Sequence, residues 1–191
     1  MGMQAAQNLI LVGPMGAGKS SIGRRVAERF GLRFVDLDEE IERRTGASVT
    51  TIFDCEGEAG FRAREHAALA ACLELDGQLV ATGGGAVLDA RNRALMRERG
   101  FVVHLQVGVP AQLRRLARDR SRPLLATGER EPVLRRLAAE REPLYREVAD
   151  LGFDTGQDTA SGAAARLAEM LGHRWRNAPG SGDSPLQARE A

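Results

Sequence analysis

Lys19 is the single lysine in a chain of 191 residues that carries 27 lysines and arginines together. It stands in Gly13-Pro14-Met15-Gly16-Ala17-Gly18-Lys19-Ser20, which reads G-x-x-x-x-G-K-S. Everywhere else the chain has settled on arginine, so a lone lysine in this slot marks a place where arginine will not serve. The physical reason is size. Backbone N–H groups of a glycine-rich loop wrap phosphate oxygens, and a compact ammonium on a flexible stem can curl back to the outer phosphates where a planar guanidinium would crowd the nest. Gly13, Gly16, Ala17, Gly18, Lys19, Ser20 and Ser21 are the expected nucleotide contacts, with the Ser20 hydroxyl placed to hold Mg²⁺.

A phosphate loop specifies a nucleotide and leaves the reaction open. Asp36-Leu37-Asp38 narrows it. In an extended segment, period-two spacing points both carboxylates the same way, one toward a metal's water shell and the other toward an acceptor hydroxyl. Helix capping by Asp38 is compatible with that use. Phe61-Arg62-Ala63-Arg64-Glu65 comes next, then Thr82-Gly83-Gly84-Gly85, where three glycines let a small ligand lie against bare backbone N–H groups. Arg114, Arg115, Arg118, Arg120 and Arg122 fall within nine positions, as either a solvated basic face or a lid carrying positive charge over the nucleotide. Arg141-Glu142-Pro143-Leu144-Tyr145 supplies another arginine before the last apolar run.

These groups need a scaffold to bring them together. Five apolar runs suit buried parallel strands: 9–12, 33–36, 78–81, 101–105 and 151–154. Between them, Ser20 to Phe30 repeats apolar residues at helical spacing and stops at Gly31. Asp38 is the expected cap of a helix over 39–45, Ser48 of a short one through Phe53, and Asp89 of one ending before Gly100. The segment 58–75 reads as a long helix, and Pro110 suits the first turn of another. Alternating strands and helices predict a three-layer α/β fold with ligands at the carboxyl ends of the strands, where the Gly13 loop falls. After Gly172 the chain turns polar and rich in breakers, which predicts a single domain over 1–172 and a disordered tail over 173–191. Trp175 is expected either to dock on the body or to mark where order ends.

A net charge of +1, from 27 basic and 26 acidic residues, argues against nucleic acid or a membrane surface as the main partner. Cys55 and Cys72 have neither metal-ligand nor disulfide-framework spacing, and no apolar run approaches the ~18 residues of a membrane span. A cytoplasmic monomer is expected. The histidines, His66, His104 and His173, are scattered and read as structural or surface residues.

Taken jointly, the phosphate loop, D-x-D, F-R-x-x-E, G-G-G, R-P-L-L at 122–125 and R-x-P-L-Y at 141–145 closely resemble the shikimate kinase family over residues 8 to 172. The resemblance implies a P-loop kinase fold with a five-stranded parallel sheet of order 2-3-1-4-5, ATP and Mg²⁺ as cosubstrate and cofactor, and phosphorylation of the shikimate 3-hydroxyl. It implies an acceptor-binding segment near 38–66 and a lid near 114–128. Residue by residue, Asp38 looks like the group that grips the reacting hydroxyl, and Arg62 and Arg141 like the carboxylate clamp. Gly83, Gly84 and Gly85 resemble the backbone wall of the acceptor site, and Asp36 with Ser20 matches the metal positions. Arg122 looks like the lid arginine on the transferred phosphate, and Arg115 like the one beside adenine. One departure is Gly156-Gln157-Asp158, where some members carry basic residues, so backbone contacts to adenine are expected there.

Three other readings compete. A nucleoside-monophosphate kinase would bring an acceptor phosphate against Asp38 and be repelled. A gluconate-type kinase is separable by substrate. A silent nucleotide-binding module would have no use for an acceptor clamp.

Overall fold

The computed structural model describes residues 8–117, 129–156 and 158–175. Five strands, β1 (Asn8–Val12), β2 (Arg33–Asp36), β3 (Gln78–Ala81), β4 (Gly100–Gln106) and β5 (Leu151–Asp154), form one parallel sheet of order β2-β3-β1-β4-β5. The helices are α1 (Lys19–Phe30), α2 (Leu37–Thr45), α3 (Val49–Leu73), α4 (Ala90–Arg99), α5 (Val109–Leu116), α6 (Arg130–Val148) and α7 (Ala160–Arg174), with a 3-10 turn at Ala86–Leu88.

Every residue of β1 is buried, as the central strand of a sheet covered on both faces must be. Its side chains alternate. Leu9 and Leu11 join Leu79, Val103 and Leu105 against α1 and α7, whereas Ile10 and Val12 join Val80 and Val102 against α3, α4 and α6. Because β1 pairs with β3 on one side and β4 on the other, its carboxyl end lies at the reversal of strand order, where α/β sheets open a crevice for ligands. The loop from Gly13 fills that crevice.

Four sequence expectations shift. Asp38 does not cap α2: Asp36 is the N-cap, its Oδ1 accepting from the Asp38 and Glu39 N–H groups. The extended backbone ends at Asp36, so the two carboxylates leave a strand end and a first helical turn, not one strand face. Ser48 caps α3 as expected, but its first part runs on to a kink at Gly57 (φ 69°, ψ −175°), and the second part ends at Leu73. A backbone of that shape requires glycine. The turn at Ala86–Leu88 and the long α6, which accommodates Pro143, went unread in the sequence. Finally, α7 continues through Arg174, and Trp175 docks edge-on against Phe30 with ring centroids 5.6 Å apart. The expected tail over 173–191 therefore does not begin at His173, and its residues 176–191 lie outside the described residues.

Candidate active site

The phosphate loop hands its chain to α1 through Gly18, whose φ of 90° belongs to the left-handed region. Gly13 is sterically required: a Cβ there would lie 2.3 Å from the Leu105 carbonyl oxygen. Lys19 folds back over the loop, its Nζ donating to the carbonyls of Gly13 at 2.7 Å and Pro14 at 2.9 Å. An ammonium seated there, at a helix N-terminus, completes an anion site.

At the next residue, Ser20 Oγ donates to Asp36 Oδ2 at 2.5 Å. The carboxylate is doubly committed, since its other oxygen caps α2. A hydroxyl and a carboxylate oxygen fixed side by side next to a phosphate site suit a hard divalent cation that takes most of its remaining ligands from phosphates and water. Among the described residues no cluster of three or more His, Cys, Asp or Glu could hold a metal ion.

A cavity of about 550 Å³ runs from the loop to the glycine turn. Gly16, Gly18, Lys19, Ser20, Ser21, Asp36, Asp38, Gly83 and Gly84 line it. Arg62 and Arg141 are not among its lining residues but brace the glycine turn. A Cβ on Gly84 would stand 3.6 Å from Arg141 Nη1, and one on Gly85 would stand 2.2 Å from Arg62 Nη2. A Cβ on Gly83 would meet Glu65 Oε1 at 2.8 Å and Asp38 Oδ1 at 3.2 Å. The three glycines thus bring two arginines and two carboxylates within reach of one turn.

The charges there are hard to satisfy internally. Glu65 is fully buried and accepts from Arg62 Nη1 at 2.7 Å, yet its second oxygen has no hydrogen-bond partner, and neither does Nε of Arg62 or of Arg141. Burial pushes the Glu65 carboxyl up, with Arg62 pulling it back, Asp38 adding to the rise and Arg141 opposing it. Burial also works against the Arg62 charge, but Glu65 and Glu58 more than offset it and raise its pKa. Tyr145 reaches the same turn from α6, donating to the Gly84 carbonyl at 2.5 Å, and burial pushes its hydroxyl up to about 12. Glu65 and Tyr145 were visible as motif letters, but their work was not. Arg62 and Glu65 at i and i+3 share one helix face, which was the available signal.

Arg115 lies on the other side of the phosphate loop, in a smaller cavity of about 170 Å³ with Ala17, Gly18, Ser21, Thr155 and Asp158. Its guanidinium donates to the Gly16 carbonyl (2.9 Å), Thr155 Oγ1 (3.1 Å) and the carbonyls of Thr155 (3.3 Å) and Gly156 (2.9 Å). Asp158 is paired with Arg166 at 2.6 Å. Arg122 and Gln157 lie outside the described residues.

A strand–phosphate loop–helix unit at a sheet's reversal point, with an adjoining cavity lined by Lys19, Asp36, Asp38 and bare glycines and two arginines braced on the glycine turn behind it, defines a P-loop small-molecule kinase. The comparisons name the branch. The family model described as shikimate kinase matches residues 15–172. Shikimate kinase of Stenotrophomonas maltophilia strain K279a is 60% identical over 174 residues, spanning 91% of this chain and 97% of the relative. That of Xanthomonas euvesicatoria pv. vesicatoria strain 85-10 is 57% identical over the same spans. Among solved structures, shikimate kinase from Acinetobacter baumannii in complex with shikimate superposes with a TM-score of 0.85 at 44% identity, covering 90% of this chain and 96% of that one. The chain belongs to the shikimate kinase family, the ATP-dependent phosphotransferases of aromatic biosynthesis.

Proposed function

We infer that the chain moves the γ-phosphoryl group of ATP to the 3-hydroxyl of shikimate, with Lys19, Asp38 and Arg122 as catalytic residues and Arg62 and Arg141 holding the acceptor carboxylate. The observation that carries the acceptor assignment is the buried Arg141 and the half-buried Arg62 braced on Gly84 and Gly85, each with a buried Nε lacking a hydrogen-bond partner, beside Asp38 and Glu65. Two forked donors suit one carboxylate, and two acids suit a ring bearing hydroxyls.

Phosphoryl transfer through a loose transition state asks mainly for alignment and charge neutralisation. Lys19 supplies positive charge at the loop, aimed by its seat over Gly13 and Pro14. Asp38 aligns the hydroxyl and takes its proton late, when the forming bond has acidified it. Ser20 and Asp36 would hold Mg²⁺, which when bound neutralises phosphate charge. Gly83, Gly84 and Gly85 form the backbone wall of the acceptor site. Gly13, Gly16, Ala17, Gly18 and Ser21 belong to the ATP site, with Arg115 at the adenine end. Arg122 is assigned to the transferred phosphate on the R-P-L-L motif alone. The free thiols of Cys55 and Cys72 fit a reducing cytoplasm, and one chain carries all of these groups, which supports action as a monomer.

The test is an ADP-release assay with shikimate, quinate, gluconate and AMP as acceptors. Shikimate should be preferred by at least about tenfold in kcat/KM, because quinate and gluconate present their hydroxyls differently to Asp38. Preference for gluconate or AMP would overturn the acceptor assignment.

A further inference from the structure

The four carbonyls that open the phosphate loop are all engaged. Lys19 takes those of Gly13 and Pro14, Arg115 takes that of Gly16, and the Met15 carbonyl accepts from Gln112 Nε2 at 2.9 Å. Gln112 lies mid-helix on α5, only 2% exposed, and nothing in the reaction as described uses it. Helix and loop are in contact here: a Cβ on Gly16 would lie 3.6 Å from Gln112 Cα and 3.3 Å from Leu116 Cγ.

A peptide unit is planar, and its C=O and N–H point in opposite directions. Holding the Met15 oxygen toward α5 therefore turns the Gly16 N–H away from α5. Gly16 has φ of +77°, a region in which glycine is conformationally permissive, so the residue itself does little to fix that plane. Gly16 also lines the main cavity beside Lys19 and Ser20. A buried side-chain amide spent on one loop carbonyl is thus the device that sets the direction of one loop N–H.

We propose that Gln112 is a positioning residue for phosphate binding, fixing the Met15–Gly16 peptide plane so that the Gly16 N–H meets a phosphate oxygen of the nucleotide. The proposal rests on the reading of this loop as the ATP site. Arg115 cannot substitute, because it holds the next peptide unit and is spread over Thr155 and Gly156 as well.

Gln112→Met keeps the length and bulk of the side chain and removes the donor. Calorimetric titrations with ATP, with tripolyphosphate and with shikimate separate the possibilities. Loss of one buried hydrogen bond that organises the loop should weaken ATP and tripolyphosphate alike, each by about fivefold to tenfold, with shikimate affinity within about twofold of wild type. Weaker ATP with unchanged tripolyphosphate would place the effect at the adenine end through Arg115 and overturn the proposal. Equal losses for all three ligands would mark a packing defect and overturn it as well, as would no loss at all. Should the methionine variant not fold, Gln112→Asn draws the same amide back by one methylene and is expected to give the same selective loss. Failure of wild-type protein to bind tripolyphosphate or ATP would instead count against the reading of the loop itself.

Discussion

Gly85→Ala isolates the contribution of Arg62 without touching it. Gly85 has φ −97° and ψ −1°, a conformation open to alanine, so the substitution introduces no backbone strain. Its effect is spatial. The new methyl would stand 2.2 Å from Arg62 Nη2, 2.6 Å from Cζ and 2.7 Å from Nη1, and the guanidinium must retreat by more than about 1 Å to reach ordinary contact. That is the flexible end of the side chain, so the fold tolerates the move, but the position set by Glu65 at 2.7 Å and Glu58 at 3.1 Å is lost. Misplacing a positioning group by about 1 Å costs about 10²-fold, or about 2.7 kcal/mol of transition-state stabilisation. In the ADP-release assay, kcat/KM for shikimate should fall by about that factor, mostly through KM, while the Kd for ATP stays within about twofold. The decisive step is a double-mutant cycle with Arg62→Ala. Once the guanidinium is gone, the methyl has nothing to displace, so Gly85→Ala should add little to the loss already caused by Arg62→Ala. Full additivity would show that the methyl acts on something other than Arg62 and would refute the clamp argument.

Lys19→Arg should retain the charge yet lose most activity, because a planar head cannot occupy the seat over the Gly13 and Pro14 carbonyls; near wild-type turnover would defeat the size argument. Asp38→Asn should lower kcat by about 10²-fold or more with ATP binding intact, measured by single-turnover kinetics and calorimetry; a collapse of ATP binding would move Asp38 to the metal site. Tyr145→Phe leaves the Gly84 carbonyl without its donor and should raise the KM for shikimate by about tenfold, with ATP binding unaffected. On the acid side, Arg43 holds the Glu40 carboxyl at about 2 against an ordinary 4.5. Its folded pKa is depressed, so its contribution to stability is present above about pH 4.5 and disappears as pH falls toward 2. Glu40→Gln should therefore flatten the stability curve over that interval, read by urea unfolding at several pH values; an unchanged slope would mean that the ion pair does not form in solution.

What could be read from the sequence followed from local physics. The five strands announce themselves because a parallel sheet buried on both faces demands unbroken apolar runs, and Gly31, Ser48 and Asp89 end or begin helices through their own backbone or side-chain hydrogen bonds. The phosphate loop and the two arginine motifs were legible for a similar reason, since each is a short stretch of adjacent residues. The exchange of capping roles between Asp36 and Asp38 was not, because period-two reasoning holds only while the strand lasts, and its end at Asp36 is set by pairing with Ala81 of β3. Gln112 and Tyr145 were hidden more deeply. A glutamine in an amphipathic helix and a tyrosine near a proline look like ordinary choices until the sheet order brings α5 against Met15 and α6 against Gly84, 97 and 61 residues away in sequence. The residues assigned to ligand contact thus stand in motifs, whereas the work of side chains that hold the backbone becomes visible only in the fold. Their substitution should accordingly shift the affinity for one ligand more than it shifts the rate of transfer.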